Sequence, residues 1–111
     1  MLRELLERWK NWLGDHELEQ AIRDELVRHR YPRQASRIED AQMVAIERPG
    51  WVQVWQFRVE TNRDGEPVTL YGAVRDDGRH GTEVELSIDP QPVAKQLAVW
   101  SEGLIVRLRA R

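Results

Sequence analysis

The stretch that decides the fold is Trp51–Glu60, WVQVWQFRVE, a run rich in aromatic and β-branched residues and bracketed by turn signals. Side chains on a strand alternate between its two faces. Trp51, Gln53, Trp55, Phe57 and Val59 therefore share one face, and Val52, Val54, Gln56, Arg58 and Glu60 share the other. The first set is large and apolar except for Gln53, so that face is expected to meet the helices and form the core. The second is apolar only near its start, which predicts a half-wet surface.

Working outward, Asn62–Pro67 reads as a hairpin loop around Asp64-Gly65, followed by a strand over Val68–Arg75. Val68, Leu70 and Val74 are expected on the core face, with Gly72 leaving room there for a large neighbour such as Trp55. Asp76-Asp77-Gly78 opens the next turn, and Thr82–Ile88 reads as a strand with Val84, Leu86 and Ile88 inward and Glu83, Glu85 and Ser87 outward. Upstream, Ala41–Arg48 reads as a first strand, ended by Pro49-Gly50. These segments make a four-stranded antiparallel meander. Pro90 and Pro92 then open a helix with Val93, Leu97 and Trp100 at i, i+4 and i+7, and Gly103 closes it. The alternation of Leu104–Arg109 predicts a short edge strand whose arginines discourage further pairing.

The N-terminal part is helical in pattern. Leu2, Leu5, Leu6, Trp9, Trp12 and Leu13 form the apolar stripe of an amphipathic helix over residues 2–13. Gly14 suits its end and Asp15 the cap of a second helix that runs to about Arg30 with Leu18, Ala21, Ile22 and Leu26 on one side. Tyr31-Pro32 stops it, because the residue before a proline is pushed out of helical geometry. The whole reads as a single α+β domain over 1–111, helical at 1–32 and sheet with a C-terminal helix at 41–111. The predicted order is ααββββαβ, with the helices on one face of the sheet. In outline this resembles domains that lay helices on a curved sheet, and no motif assigns it to a family.

At 111 residues the chain can bury about two-thirds of its unfolded surface without covalent staples. It has no cysteine, which excludes disulfides, thiolate catalysis and cysteine-based zinc sites and fits a reducing compartment. Charged, helix-patterned residues fill the N-terminal part, with no signal-peptide core and no apolar run near the ~20 residues of a membrane span. The expectation is a cytoplasmic protein that starts at Met1 and makes no membrane contact. The net charge of −2 is unevenly spread: +1 over residues 1–37, −6 over 38–106 and +3 over 107–111. Fifteen arginines against two lysines read first as the bias of a GC-rich, bacterial-like genome.

Few residues offer chemistry. His29 lies one helical turn after Glu25, the spacing of an ion pair, an acid-base couple or half a metal site; no third ligand is near in sequence, so a structural pair is the simpler reading. His80 shares a turn with Asp76, Asp77 and Glu83, which is a weak candidate metal site, a solvated turn being favoured. His16, in the first turn of its helix, suggests nothing. Glu60, Asn62, Asp64 and Gly65 imitate the start of a calcium loop, but Tyr71 stands where the bidentate acid belongs and strands flank the loop. Phosphate-binding loops and the familiar hydrolase motifs are missing from the sequence. Arg28, Arg30, Arg33 and Arg37 lie in an acid-free stretch, RHRYPRQASR, that with the C-terminal arginines suggests anion or RNA binding. The acidic balance and pI near 5.9 oppose it.

The sequence thus identifies no catalytic residue, cofactor or metal, and an enzyme is the less favoured reading. The leading reading is a small protein-interaction or accessory module, forming oligomers or binding another protein. Its surfaces are the N-terminal helix, through Leu5, Trp9 and Trp12, or the half-wet sheet face, through Val52, Val54, Tyr71, Arg58 and Arg75. The alternative is a small-molecule pocket between sheet and helices, walled by Trp51, Trp55, Tyr71 and Trp100, with Glu25 and His29 as its acid-base couple. The third reading is the arginine-rich anion site.

Overall fold

The computed structural model describes residues 16–47 and 51–106. Helix α1 spans His16–Arg28, and the strands are β1 (Arg37–Glu47), β2 (Val52–Arg63), β3 (Glu66–Asp77) and β4 (Gly81–Ser87). Helix α2 follows over Pro90–Ser101, and Ile105–Val106 forms the two-residue strand β5. The order across the sheet is β4-β3-β2-β1-β5, every pair antiparallel. The class is α+β, with a four-stranded antiparallel meander at its centre. The proposed helix over 2–13, the cap at Asp15, the Pro49-Gly50 turn and residues 107–109 lie outside the described residues.

The alternation of β2 builds the principal core. Trp55 faces Val74 and then Val84 across the sheet, Phe57 faces Gly72 and then Leu86, and Val59 faces Leu70. Helix α1 lays Leu18, Ile22 and Leu26 onto these rows, and all three are at most 2 % exposed. The neighbour that uses the room at Gly72 is Phe57 and not Trp55, because Phe57 is its direct partner in register. A Cβ on Gly72 falls 2.3 Å from Phe57 Cε2 and Cζ. Two residues expected in this core lie outside it. Trp51 precedes the strand and is 49 % exposed, and Ile88 follows the last residue of β4 and is 62 % exposed.

The helices occupy opposite faces, which corrects the expectation of one helical face. Val52, Val54, Ala45 and Ala73 belong to the other side of the sheet, away from the core cluster that contains α1, and they are 4 % exposed or less. Helix α2 starts after β4, at one edge, and ends beside β5, at the other, touching β1, β2, β3 and β4 on its way. Val93, its most deeply buried apolar residue, is 3 % exposed. Alanines at 45 and 73 keep this face low, so the helix can lie close to the strands. Val52 and Val54 are therefore covered, and the half-wet face is wet only beyond α2, around Arg58, Glu60, Thr69 and Tyr71.

Local chemistry sets the boundaries. The β2–β3 loop is only Asp64-Gly65, with φ of 54° and 83°, because a two-residue hairpin turn of this hand needs both central residues at positive φ. Both strands consequently run further than expected, to Arg63 and from Glu66. Pro67 is tolerated in β3 because it lies before the segment that pairs with β4. Helix α1 ends in a hydrogen-bonded reversal, Tyr31 N–H to Leu26 O at 2.9 Å and Arg30 N–H to Val27 O at 2.9 Å, with Arg30 at φ 68°. It stops before the proline is reached. Helix α2 begins under a cap not foreseen from sequence, Asp89 accepting from Gln91 N–H at 3.0 Å, and Gly103 follows it at φ 82°.

Gly72→Ala is expected to destabilise the fold by about 1–3 kcal/mol, since Phe57 must leave its rotamer or the strands must shift. Urea unfolding measures the loss. Combining it with Phe57→Leu should cost less than the sum of the two single changes, and strict additivity would show that the ring is not what Gly72 accommodates.

Candidate functional site

Two polar clusters stand on the sheet. The first surrounds Arg58, near the middle of β2 on the face that α2 partly covers. The register puts Glu39 of β1 directly opposite Arg58 and Glu60 two residues along on the same side. A β-bulge after Glu39, with Asp40 at φ 56°, re-aims the Asp40 carboxylate at the guanidinium, Nη2 to Oδ2 2.9 Å. Glu39 Oε1 and Glu60 Oε2 each lie 3.3 Å from it. Arg58 is held above its ordinary pKa, foremost by the charge of Asp40 and further by Glu39 and Glu60, against partial desolvation. Thr69 donates to Glu60 at 2.8 Å, and Tyr71, the cross-strand partner of Arg58, is 36 % exposed beside the cluster. With Arg37 also 3.3 Å from Glu39, two cations meet three carboxylates here.

The second cluster closes the β3–β4 turn. Asp77 is 4 % exposed, and its Oδ1 accepts the backbone N–H of Arg79 at 2.9 Å and of His80 at 3.3 Å. Its Oδ2 takes His80 Nδ1 at 3.0 Å and Arg75 Nη2 at 3.3 Å. The Arg79 amide, then the His80 side chain, hold this carboxyl at about 2, down from 3.8, outweighing the effect of burial. Gly78 N–H donates to Trp51 O at 2.7 Å, and the Arg79 guanidinium stacks 4.4 Å from the Trp51 ring while reaching Glu47 at 3.6 Å. The turn is thereby tied to the start of β2.

The structure separates most of the candidates suggested by sequence. Asp76 points to the opposite side of β3 from Asp77, within 3.4 Å of Thr82, while Asp77 spends its oxygens on its own turn. Among the described residues no group of three His, Asp or Glu side chains is disposed to hold a metal ion. Glu25 and His29 do meet, Nε2 to Oε2 3.1 Å, but Arg28 shares the same carboxylate and the pair lies at the helix surface. Arg33 is bound to Asp24 and Gln20, and Arg37 reaches Glu39 at 3.3 Å. Of the four arginines proposed for anion binding, Arg30 alone has no such partner among the described residues. Arg23 closes the same loop from below, donating to the carbonyls of Arg33 and Ser36 at 2.7 and 3.0 Å.

The four proposed pocket walls do not face one space. Trp55 belongs to the α1 side and Tyr71 to the α2 side, Trp100 is on α2, and Trp51 stacks on Arg79 at the sheet end. Among the proposed partner-binding residues, Tyr71, Arg58 and Arg75 retain exposure, whereas Val52 and Val54 are buried. Leu5, Trp9 and Trp12 lie outside the described residues. The Arg58 cluster itself was half legible, since Arg58 and Glu60 share a strand face. Asp40 joins it only through the bulge. Comparison with protein-family models, with curated proteins and with solved structures finds no match to this chain.

Because the folded state depresses the Asp77 pKa, the stability it contributes is complete above the unfolded value near 3.8 and disappears as pH falls toward about 2. Carboxyl-resolved NMR titration should find Asp77 titrating near the bottom of that window. Thermal melts of Asp77→Asn between pH 5 and 2 should show a shallower acid loss than the parent, and an unchanged slope would contradict the assignment.

Proposed function

We propose that this chain is a small protein-interaction or accessory module. It acts through the amphipathic segment 2–13 or the part of the sheet face around Tyr71 that α2 leaves open. The observation that carries this reading is a contrast between polar and apolar groups. The side chains that the sequence offers for chemistry, Glu25 with His29 and Asp77 with His80, are engaged with one another and with neighbouring groups of the chain. Large apolar side chains, by contrast, stand open, Tyr71 at 36 % on the proposed face and Val27, Trp51 and Ile105 at 49 to 52 % elsewhere on the surface. Exposed apolar area of this kind is suited to burial against another protein. Tyr71, beside the Arg58 cluster, offers an aromatic body with a polar tip, the residue type that interfaces favour.

Native mass spectrometry of the gently purified chain, with and without residues 1–14, tests this. The truncated chain should keep its circular dichroism and a cooperative melt, and should lose a protein mass that the full chain retains. Unfolding on truncation would make the segment part of the core, and a full chain that retains no other protein would remove the reading.

A further inference from the structure

Helix α2 is a surface helix with an unusual composition. Its sequence, PQPVAKQLAVWS, contains one charged residue, Lys95. One side is fixed by the sheet, with Val93 buried and Leu97 and Trp100 partly so. The outward side of such a helix ordinarily carries the charges. Here it presents Gln91 and Ala98 on its outermost row, flanked by exposed Pro92 and Ala94, with Val99 at 64 %, and Ile88 just before the helix at 62 %. The two charges on this side are Lys95 and, at the C-cap, Glu102. They are seven positions apart, two turns along the same outward row, and neither has a partner among the described residues.

We propose that this face binds a second copy of the chain, with the two α2 helices antiparallel about a two-fold axis passing between Ala98 and Val99. Positions 95 and 102 are equidistant from that axis. Each Lys95 therefore falls opposite Glu102 of the other copy, and the pairing occurs twice. A parallel arrangement would instead oppose Lys95 to Lys95. The interface is isologous, so the same patch serves both copies and the assembly closes at two. The small side chain of Ala98, opposite Val99 of the other copy, permits the ~8 Å approach of tightly packed helices. Val99 fills the centre between the two charge pairs. About that axis the two helices face one another over residues 96–101, about 9 Å of helix, which buries less than the ~1,200 Å² of a standard stable complex, so the dimer is weak and concentration-dependent.

This surface is distinct from the segment 2–13 and from the Tyr71 face. Sedimentation equilibrium of the full chain from roughly 10 to 500 μM, at low salt, spans the range of a weak interface. A monomer–dimer equilibrium is expected, weakened about five- to tenfold by Lys95→Glu and by Glu102→Lys, each of which sets like charges opposite one another twice. The double variant restores the opposite-charge pairing and should return to within about threefold of the parent. Val99→Asp should leave a monomer. These positions are exposed, so circular dichroism should be unchanged in each variant. The proposal is overturned by a chain that stays monomeric at the highest concentration, by a dimer indifferent to all three single changes, or by charge reversals that fail to rescue one another. A dimer through α2 also survives removal of residues 1–14, which separates its failure from failure of the interaction reading.

Discussion

The constraint on which the rest depends is that β2 is apolar on both sides over part of its length. Trp55, Phe57 and Val59 need cover on one face, and Val52 and Val54 need it on the other. One helical layer cannot serve both. The chain answers with a thick layer and a thin one. Large side chains fill the space under α1, whereas alanines at 45 and 73 lie where α2 crosses. Gly72 belongs to the same economy, since removing one side chain lets the Phe57 ring lie flat on the sheet.

The polar groups follow from this packing. Once α2 covers part of its face, Arg58 sits at the margin between a dry layer and solvent, and a charge there needs counter-charges close by. Glu39 and Glu60 are supplied by strand register, and Asp40 by a bulge that takes one residue out of step. At the sheet end, Asp77 performs a structural task with the same economy. Its carboxylate accepts the Arg79 amide and shares the His80 amide with its own backbone carbonyl, and His80 and Arg75 balance its charge.

Much of this was legible in the sequence, and the misses have physical causes. Period-two alternation revealed β2 to β4, and the Asp64-Gly65 pair gave the hairpin, because only a few residue types accept its backbone geometry. The start of β1 at Arg37 was hidden because RIED reads as polar surface and its pairing with β2 is long-range. The side chosen by α2 was not legible either: Val93, Leu97 and Trp100 show which side of the helix is apolar, but not which face of a two-faced sheet receives it. Val52 and Val54 carried the missing hint, since two buried-type valines on a supposedly wet face require a cover. The candidate sites failed for a simpler reason. Neighbouring residues on a strand point to opposite faces, so Asp76 and Asp77 could not act together.

The path of α2 has a further consequence for how the structure assembles. From β1 to β4 each strand pairs with its neighbour in the chain, so those registers close short loops and lose little chain entropy in doing so. The contact between Ala45 and Val106 is of another kind, because it joins the first strand to the last and requires α2 to have crossed the whole sheet. That pairing, like the packing of α1 on β4, joins parts of the chain that are far apart in sequence. Until it happens, Val52 and Val54 face water, and the half-built sheet carries an apolar face that the mature one does not.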